Sequence, residues 1–416
     1  MKKLKICGMK YPENIKEIAA LQPDYLGFIF WEKSSRFMDV ASIPELPKTT
    51  KKVGVFVDAS ATEIRSKVVQ YQLDIVQLHG NESASFCSEI KLLNVEIIKA
   101  FSIGTNFYFS VLEQFLPKNT YNLNEVEKDL AKKDVFFDLV LYLSVPLHLF
   151  VISQFLITVS DTALPLSDLI ACILMMGTIL GVNGINIGHE LGHKTDDLVK
   201  KVLAHTLLLT ALQNHFIPYH NGGHHRDIGT PEDFTSAKEG DIFYFFALRS
   251  QIGGYFKTWK LEAQRLKADG KSPLFNPMIL YTLLPIFFLF SIYHFFGLYI
   301  SIFYFISCVH GISILEAQNY FAHYGLRRKI QENGRYERVK PKHSWNSDHM
   351  IGRVLLFELT RHSDHHHMGA KPYHLLESKE HSPNLPYGYP AMLALSYFPF
   401  LFRPIMKKQL ALYENK

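Results

Sequence analysis

The sequence predicts two unlike halves: an N-terminal α/β part with βα repeats around a parallel sheet or barrel, and a C-terminal all-α polytopic membrane part. Three observations carry this. Short apolar runs alternate with amphipathic stretches over residues 1–104. Further on, residues 139–160, 169–188 and 272–315 contain no Asp, Glu, Lys or Arg. Histidines crowd into His189-Glu-Leu-Gly-His193, His220-Asn-Gly-Gly-His224-His225 and His362-Ser-Asp-His365-His366, with His323 alone.

In the first half, strand-like runs fall at Leu4–Cys7, Tyr25–Phe30, Val53–Val57, Ile75–Leu78 and Glu96–Phe101. Between them lie helix-like segments such as Ile15–Leu21 and Ala61–Tyr71. A spacing of roughly 20–25 residues per unit suits right-handed βα repeats. The four cysteines, Cys7, Cys87, Cys172 and Cys308, make no CxxC pair, so a reduced setting without a disulfide framework is expected. The N-terminus lacks the apolar core of a signal peptide, so membrane insertion is expected to start from an internal segment.

In the second half, each uncharged segment is long enough for a span of about 20 residues, and 272–315 for two. Phe (32) and Tyr (21) crowd into these runs, which suits surfaces facing lipid. Lys132 and Lys133 precede the first span, and Lys194, Lys200 and Lys201 follow the second. The connection at 161–168 has acids but no base. The positive-inside rule then gives two hairpins in a cytoplasmic membrane, with every histidine cluster on the cytoplasmic side. The stretch 202–218 is apolar but broken by polar residues, and reads as a buried or interfacial helix. A net charge of +5, mixed along the chain, excludes a nucleic-acid partner and general disorder.

His189 and His193, four apart, lie about 40° apart on one helix face. His220 and His224 repeat that spacing, and His362, His365 and His366 again share a face. Imidazole suits Fe, Zn, Cu and Ni. These clusters exceed the needs of one zinc and suit two irons. The isolated His79, His148, His205 and His294 read instead as satisfied core residues. His189-Glu190-Leu-Gly-His193 also fits the HExxH of zinc peptidases, with Glu190 as general base, and this alternative stays open. Glu190, Asp227, Asp233 and Asp364 are candidates to orient ligating rings by accepting the other ring N–H. The roles of Trp345, Asn346 and Ser347 stay open.

Four stretches resemble the alkane 1-monooxygenase family, within the membrane fatty-acid desaturase and hydroxylase superfamily. They are Asn186–Lys194, His220–Asp233, Asn319–Leu326, and His343–His349 through Arg361–His366. The resemblance implies a non-haem site of two Fe ions held by His189, His193, His220, His224, His225, His323, His362, His365 and His366. It also implies O₂ as oxidant, terminal hydroxylation of alkanes or related fatty chains, and electrons from rubredoxin. A desaturase-like outcome on the same site is the neighbouring alternative. The family usually has Glu immediately before the positions of His220 and His323, where this chain has Tyr219 and Ala322. It also carries two further transmembrane helices before the segment Ser110–Glu125.

The N-terminal runs Lys5–Met9, Gly27–Phe30 with Ser34–Arg36, Val53–Val57 and Val76–Gly80 resemble phosphoribosylanthranilate isomerase of tryptophan biosynthesis, a (βα)₈ barrel. The resemblance implies Cys7 as general base and Arg36 as the anthranilate carboxylate's partner. About five of the eight strands are present, so this half is expected to be inert. The halves divide as 1–104, a junction at 105–135, and 136–416. A single cut joining two neighbouring coding regions accounts for both losses.

Overall fold

The computed structural model describes residues 4–40, 42–80, 82–100, 118–194 and 196–414. The chain divides into two compact units, 1–106 and 107–416.

The first unit is a five-stranded parallel sheet in sequential order. Its strands are β1 (Lys5–Cys7), β2 (Tyr25–Ile29), β3 (Lys51–Phe56), β4 (Ile75–Leu78) and β5 (Glu96–Lys99). Three helices alternate with them: α1 (Pro12–Ala19), α2 (Ala61–Tyr71) and α3 (Ala84–Lys91). Ser60 and Ser83 start α2 and α3 by accepting from Glu63 N–H and Phe86 N–H, satisfying donors that a helix leaves open. Leu26, Phe28, Phe56, Ile15 and Ile64 form the core between sheet and helices. The last predicted strand runs only to Lys99, and its end at Phe101 lies outside the described residues.

The second unit opens with α4 (Glu125–Lys133), started by a capping box between Asn124 and Glu127. Four helices are long and apolar enough to cross a membrane: Phe136–Thr158, Leu166–Gly192, Pro277–Phe296 and Leu298–His323. The first is α5. The second comprises α6 (Leu166–Ile179), a π-helical segment at Leu180–Ile185, and α7 (Asn186–Gly192). The last two, α12 and α13, turn at Gly297, whose φ of +88° favours a residue without Cβ.

Span two meets span four backbone to backbone. A Cβ on Gly177 would stand 2.6 Å from the Ser307 carbonyl, and one on Gly311 2.9 Å from that of Gly177. Small residues at such crossings let helices pack where lipid supplies no hydrophobic drive. In α12, by contrast, only Met278 and Ile292 are fully buried.

The stretch 202–218 forms two helices, α8 (Leu198–Thr210) and α9 (Phe216–Tyr219). After α9 come a π-helical segment (His220–His224), α10 (His225–Asp227) and the long α11 (Phe243–Ala268). Beyond the spans, α14 (Met350–Leu355), α15 (His362–His367), α16 (Tyr389–Ser396) and α17 (Pro399–Glu414) close the unit. Their core of Trp345, Tyr389 and Phe402 packs with Tyr320 and Phe321 of α13.

Two histidines depart from the core reading. His79 is exposed, because it stands just beyond β4 where the sheet ends. His294 is exposed near the end of α12, the helix with least packing around it. His148 is buried, with its Nε2 2.9 Å from Thr210 Oγ1, and His205 stacks on Tyr281.

Candidate metal centre

The clustered histidines converge, but not cluster by cluster. His189, His193, His220, His225 and His365 form one group; His224, His323 and His366 form a second. His362 joins the second through Nε2 contacts of 3.1 Å to His323 and 3.0 Å to His366. In the first group, His189 Nε2 lies 2.8 Å from His220 Nε2, 2.9 Å from His193 and 3.2 Å from His365. His225 Nε2 lies 2.8 Å from His220 Nε2.

The spacing expectation fails at His220. It does not pair with His224, four residues on; it pairs with His225, five on. The reason is the π-helical segment at His220–His224. Such a turn closes between i and i+5, so it aligns His220 with His225 and sends His224 to the other group. Gly222 and Gly223 supply the slack. In α15, His362 and His366 share a face, while His365 turns to the first group. Every cluster of three is thereby divided between the groups.

Burial favours the neutral form of several of these rings. It lowers the pKa of His220, His225, His365 and His366 well below the usual imidazole value, and neighbouring rings lower it further. Burial first, then His224, brings His362 down to about 3. Neutral rings keep a lone pair for a metal. His224 Nε2 is buried without a hydrogen-bond partner among the described residues, and such an orphaned acceptor fits a cation.

Of the four candidate orienting carboxylates, only Asp233 touches a histidine: its Oδ2 is 2.8 Å from His224 Nδ1. Burial would raise Asp233's pKa, but His224 and hydrogen bonds from Ser236 and Thr235 outweigh it and hold the carboxyl well below its usual value. Tyr219, one of the two departures from the family pattern, donates to Asp233 Oδ1 at 3.0 Å. The buried Ala322, the other, accepts the Trp345 N–H on its carbonyl. Asp227 is taken up by Arg226 and Lys257, and Asp364 by Lys371 and the Glu377 N–H. Glu190 accepts the Tyr373 N–H at 3.1 Å, because the residue after a ligand on a helix points about 100° away from it.

The open roles resolve into support. Trp345 Nε1 donates to the Tyr324 carbonyl next to His323. Asn346 Oδ1 accepts from Ser363 in α15, between ligand candidates. Ser347 Oγ lies 3.0 Å from His349 Nδ1.

The Asp233 contact yields a test. Asp233→Asn keeps the shape and removes the negative charge beside His224 Nδ1. Metal affinity is expected to fall about 10–100-fold, read as metal retained per chain against a graded chelator. Unchanged retention would show that Asp233 serves only its loop.

A small chamber of about 30 Å³ lies between spans two and four, bordered by His189, His220 and His362. Its walls include Gly181, Ile185, Ile314 and Leu359. Asn186 also lines it, buried, with its amide nitrogen unpartnered among the described residues. Sequence reasoning missed this residue, which sits one helical turn before His189.

A sequence model described as fatty acid desaturase matches residues 165–396. Alkane 1-monooxygenase 1 of Alcanivorax borkumensis is 37% identical over 71% of this chain and 73% of its own. Alkane 1-monooxygenase of Pseudomonas putida is 33% identical over 73% of this chain and 76% of its own. By its membrane part the chain belongs to the alkane 1-monooxygenase family. It is an oxidoreductase and a multi-pass membrane protein, and its family points to metal-dependent catalysis.

This monooxygenase carries a second likeness at its N-terminus. A model described as N-(5'-phosphoribosyl)anthranilate isomerase matches residues 4–120. The isomerase of Parabacteroides distasonis is 38% identical over 29% of this chain, which spans 57% of that protein. Cys7 lies exposed at the end of β1 and lines a cavity of about 520 Å³ with Lys5, Trp31, Gln77 and His79. Arg36 packs over Gly8 beside it, where a Cβ would stand 2.6 Å from Arg36 Cδ.

Proposed function

We propose that the membrane part is a non-haem di-iron monooxygenase that hydroxylates the terminal methyl of alkanes or related fatty chains. One observation supports this above the rest: two groups of ring nitrogens border one narrow chamber between membrane-spanning helices. The first group, His189, His193, His220, His225 and His365, would hold one iron. The second, His224, His323, His362 and His366, would hold the other. Contacts of 2.8–3.2 Å between facing Nε2 atoms suit rings arranged around an ion at about 2.1 Å. Bound there, iron would activate O₂ for attack on an inert C–H bond, with two electrons and two protons sending the second oxygen atom to water.

The protein's own part is placement and exclusion of water. Gly181, Ile185, Ile314 and Leu359 give the chamber a narrow apolar wall beside the histidines, which favours a slim chain end over a branched one. Tyr219 and Asp233 hold His224 in one orientation. Basic residues gather at the histidine end of the spans (Lys194, Lys200, Lys201, Arg265), whereas the loop at 161–168 has none. This supports a histidine side facing the cytoplasm of an inner membrane, where rubredoxin would deliver the electrons.

The test is product analysis on the full chain in membranes, with octane to hexadecane, O₂ and reduced rubredoxin. The expected result is a 1-alkanol and two irons per chain. An alkene would favour a desaturase. Zinc without iron, and no oxygenated product, would return the HExxH reading, which Glu190's bond to Tyr373 disfavours.

The isomerase likeness makes Cys7 the base and Arg36 the carboxylate partner on the cavity of the first unit. Among the described residues the five strands leave both edges of that sheet unpaired, and we infer that this unit does not turn over. The chain is expected not to rescue a tryptophan auxotroph lacking the isomerase; growth without tryptophan would overturn this.

A further inference from the structure

A second cavity, of about 530 Å³, lies at the histidine end of the spans. Gly192, the last residue of span two, and Pro277, the first of span three, both line it. It therefore sits at the boundary between lipid and water. Its polar lining has two signs. Glu262 is 6% exposed, and its Oε2 is buried without an aligned hydrogen bond. Arg265, on the next helical turn, approaches that oxygen at 2.9 Å from the exposed side. Lys201 is exposed, and its ammonium has no ion pair or hydrogen bond among the described residues. Asn221, His205 and Tyr281 complete the polar wall. Lys194 also borders it, with its ammonium on the Ala370 carbonyl.

A buried carboxylate inside a basic rim suits neither a simple anion nor a simple cation. It suits a group carrying both charges. The neighbouring face of α12, a helix apolar enough to cross a membrane, offers Leu280, Leu283 and Phe287, all exposed. Acyl chains could lie along that face while their headgroup enters the cavity, whose size is ordinary for a ligand site.

We propose that this cavity binds the headgroup of a phospholipid with a primary ammonium and a phosphodiester. Glu262 receives the ammonium; Lys201 and Arg265 receive the phosphate. A primary ammonium donates three hydrogen bonds, whereas a trimethylated one donates none, so the site distinguishes the two at Glu262. Basic pockets between membrane helices are suited to phosphate headgroups. The buried carboxylate, approached by Arg265 from its exposed side, adds the selectivity. The proposal needs no metal and stands apart from the oxidation chemistry.

The test is native mass spectrometry of the full chain with dihexanoyl phosphatidylethanolamine, phosphatidylcholine, phosphatidylglycerol and inorganic phosphate. Phosphatidylethanolamine should bind about tenfold tighter than phosphatidylcholine, and Glu262→Gln should erase the difference. Lys201→Met should weaken both lipids alike. Equal binding of the first two lipids by the native protein would overturn the proposal. So would a preference that survives Glu262→Gln, or tighter binding of phosphatidylglycerol. Inorganic phosphate binding as tightly as the lipid would mark a free-phosphate site instead. If Glu262→Gln fails to fold, the comparison of lipids on the native chain decides alone.

Discussion

His366→Ala is expected to abolish alkane hydroxylation and leave about one iron per chain. His366 Nε2 lies 3.0 Å from His362 Nε2, and its ring faces those of His323, His224 and His225. Removing it takes one ring from the smaller group, which has the least to spare. The loss in turnover should exceed about a hundredfold, the upper range for disturbing merely the residues behind a metal's ligands. Iron analysis on the purified chain reads the effect without relying on activity. His294→Ala is the control: that ring is exposed on α12, outside both groups, and its removal should leave iron unchanged. Two irons and native turnover in His366→Ala would remove it from the ligand set.

Inserting one glycine between Gly222 and Gly223 should be nearly as damaging, although every clustered histidine remains. The π-helical segment at His220–His224 carries one residue more than an α-turn, and that count aligns His220 with His225. With a further residue the two stand six apart, a spacing that neither turn aligns, and His224 leaves its place against Asp233. Misplacement by about 1 Å costs about a hundredfold in rate, and this slip is larger. Deleting Gly222 instead leaves the pair four apart, the α spacing, and should be milder. Gly222→Ala is the matched control: a Cβ there meets nothing within 4 Å. Iron loss on insertion, with retention in Gly222→Ala, is the expected pair of results. Normal loading of the insertion variant would show that the π-turn does not set the pairing.

Much of the architecture was legible from local pattern. Ala61–Tyr71 matches its helix residue for residue, and Ile75–Leu78 its strand, because amphipathic period and flanking turns are written locally. The spans were legible from the absence of charge, since lipid imposes that demand on each helix by itself. Span ends were less so. Leu298–His323 runs past the uncharged stretch through Glu316, which is buried and bonded to Gln251. A carboxylate with a partner does not interrupt a helix, and charge alone does not reveal the partner.

The candidate site divides along the same line. Histidine identity and helical spacing marked the residues, and the resemblance assigned them together. Spacing misled at His220, because a π-turn has no strong sequence mark beyond Gly222-Gly223. It also misled for Asp227 and Asp364, whose partners Lys257 and Lys371 come from other turns of the chain.

The sequence by itself therefore determined the two halves, the four apolar helices and the set of imidazoles. Each is a property of a segment facing its own solvent, lipid or water. Only the tertiary structure decided which imidazoles stand together. His189 meets His365 across 176 residues, and His224 parts from its neighbour His225 to join His323. Those choices follow from the close approach of spans two and four at Gly177, Gly181 and Gly311 and from one extra residue in a helical turn. Both are packing events between distant segments, and no local period encodes them.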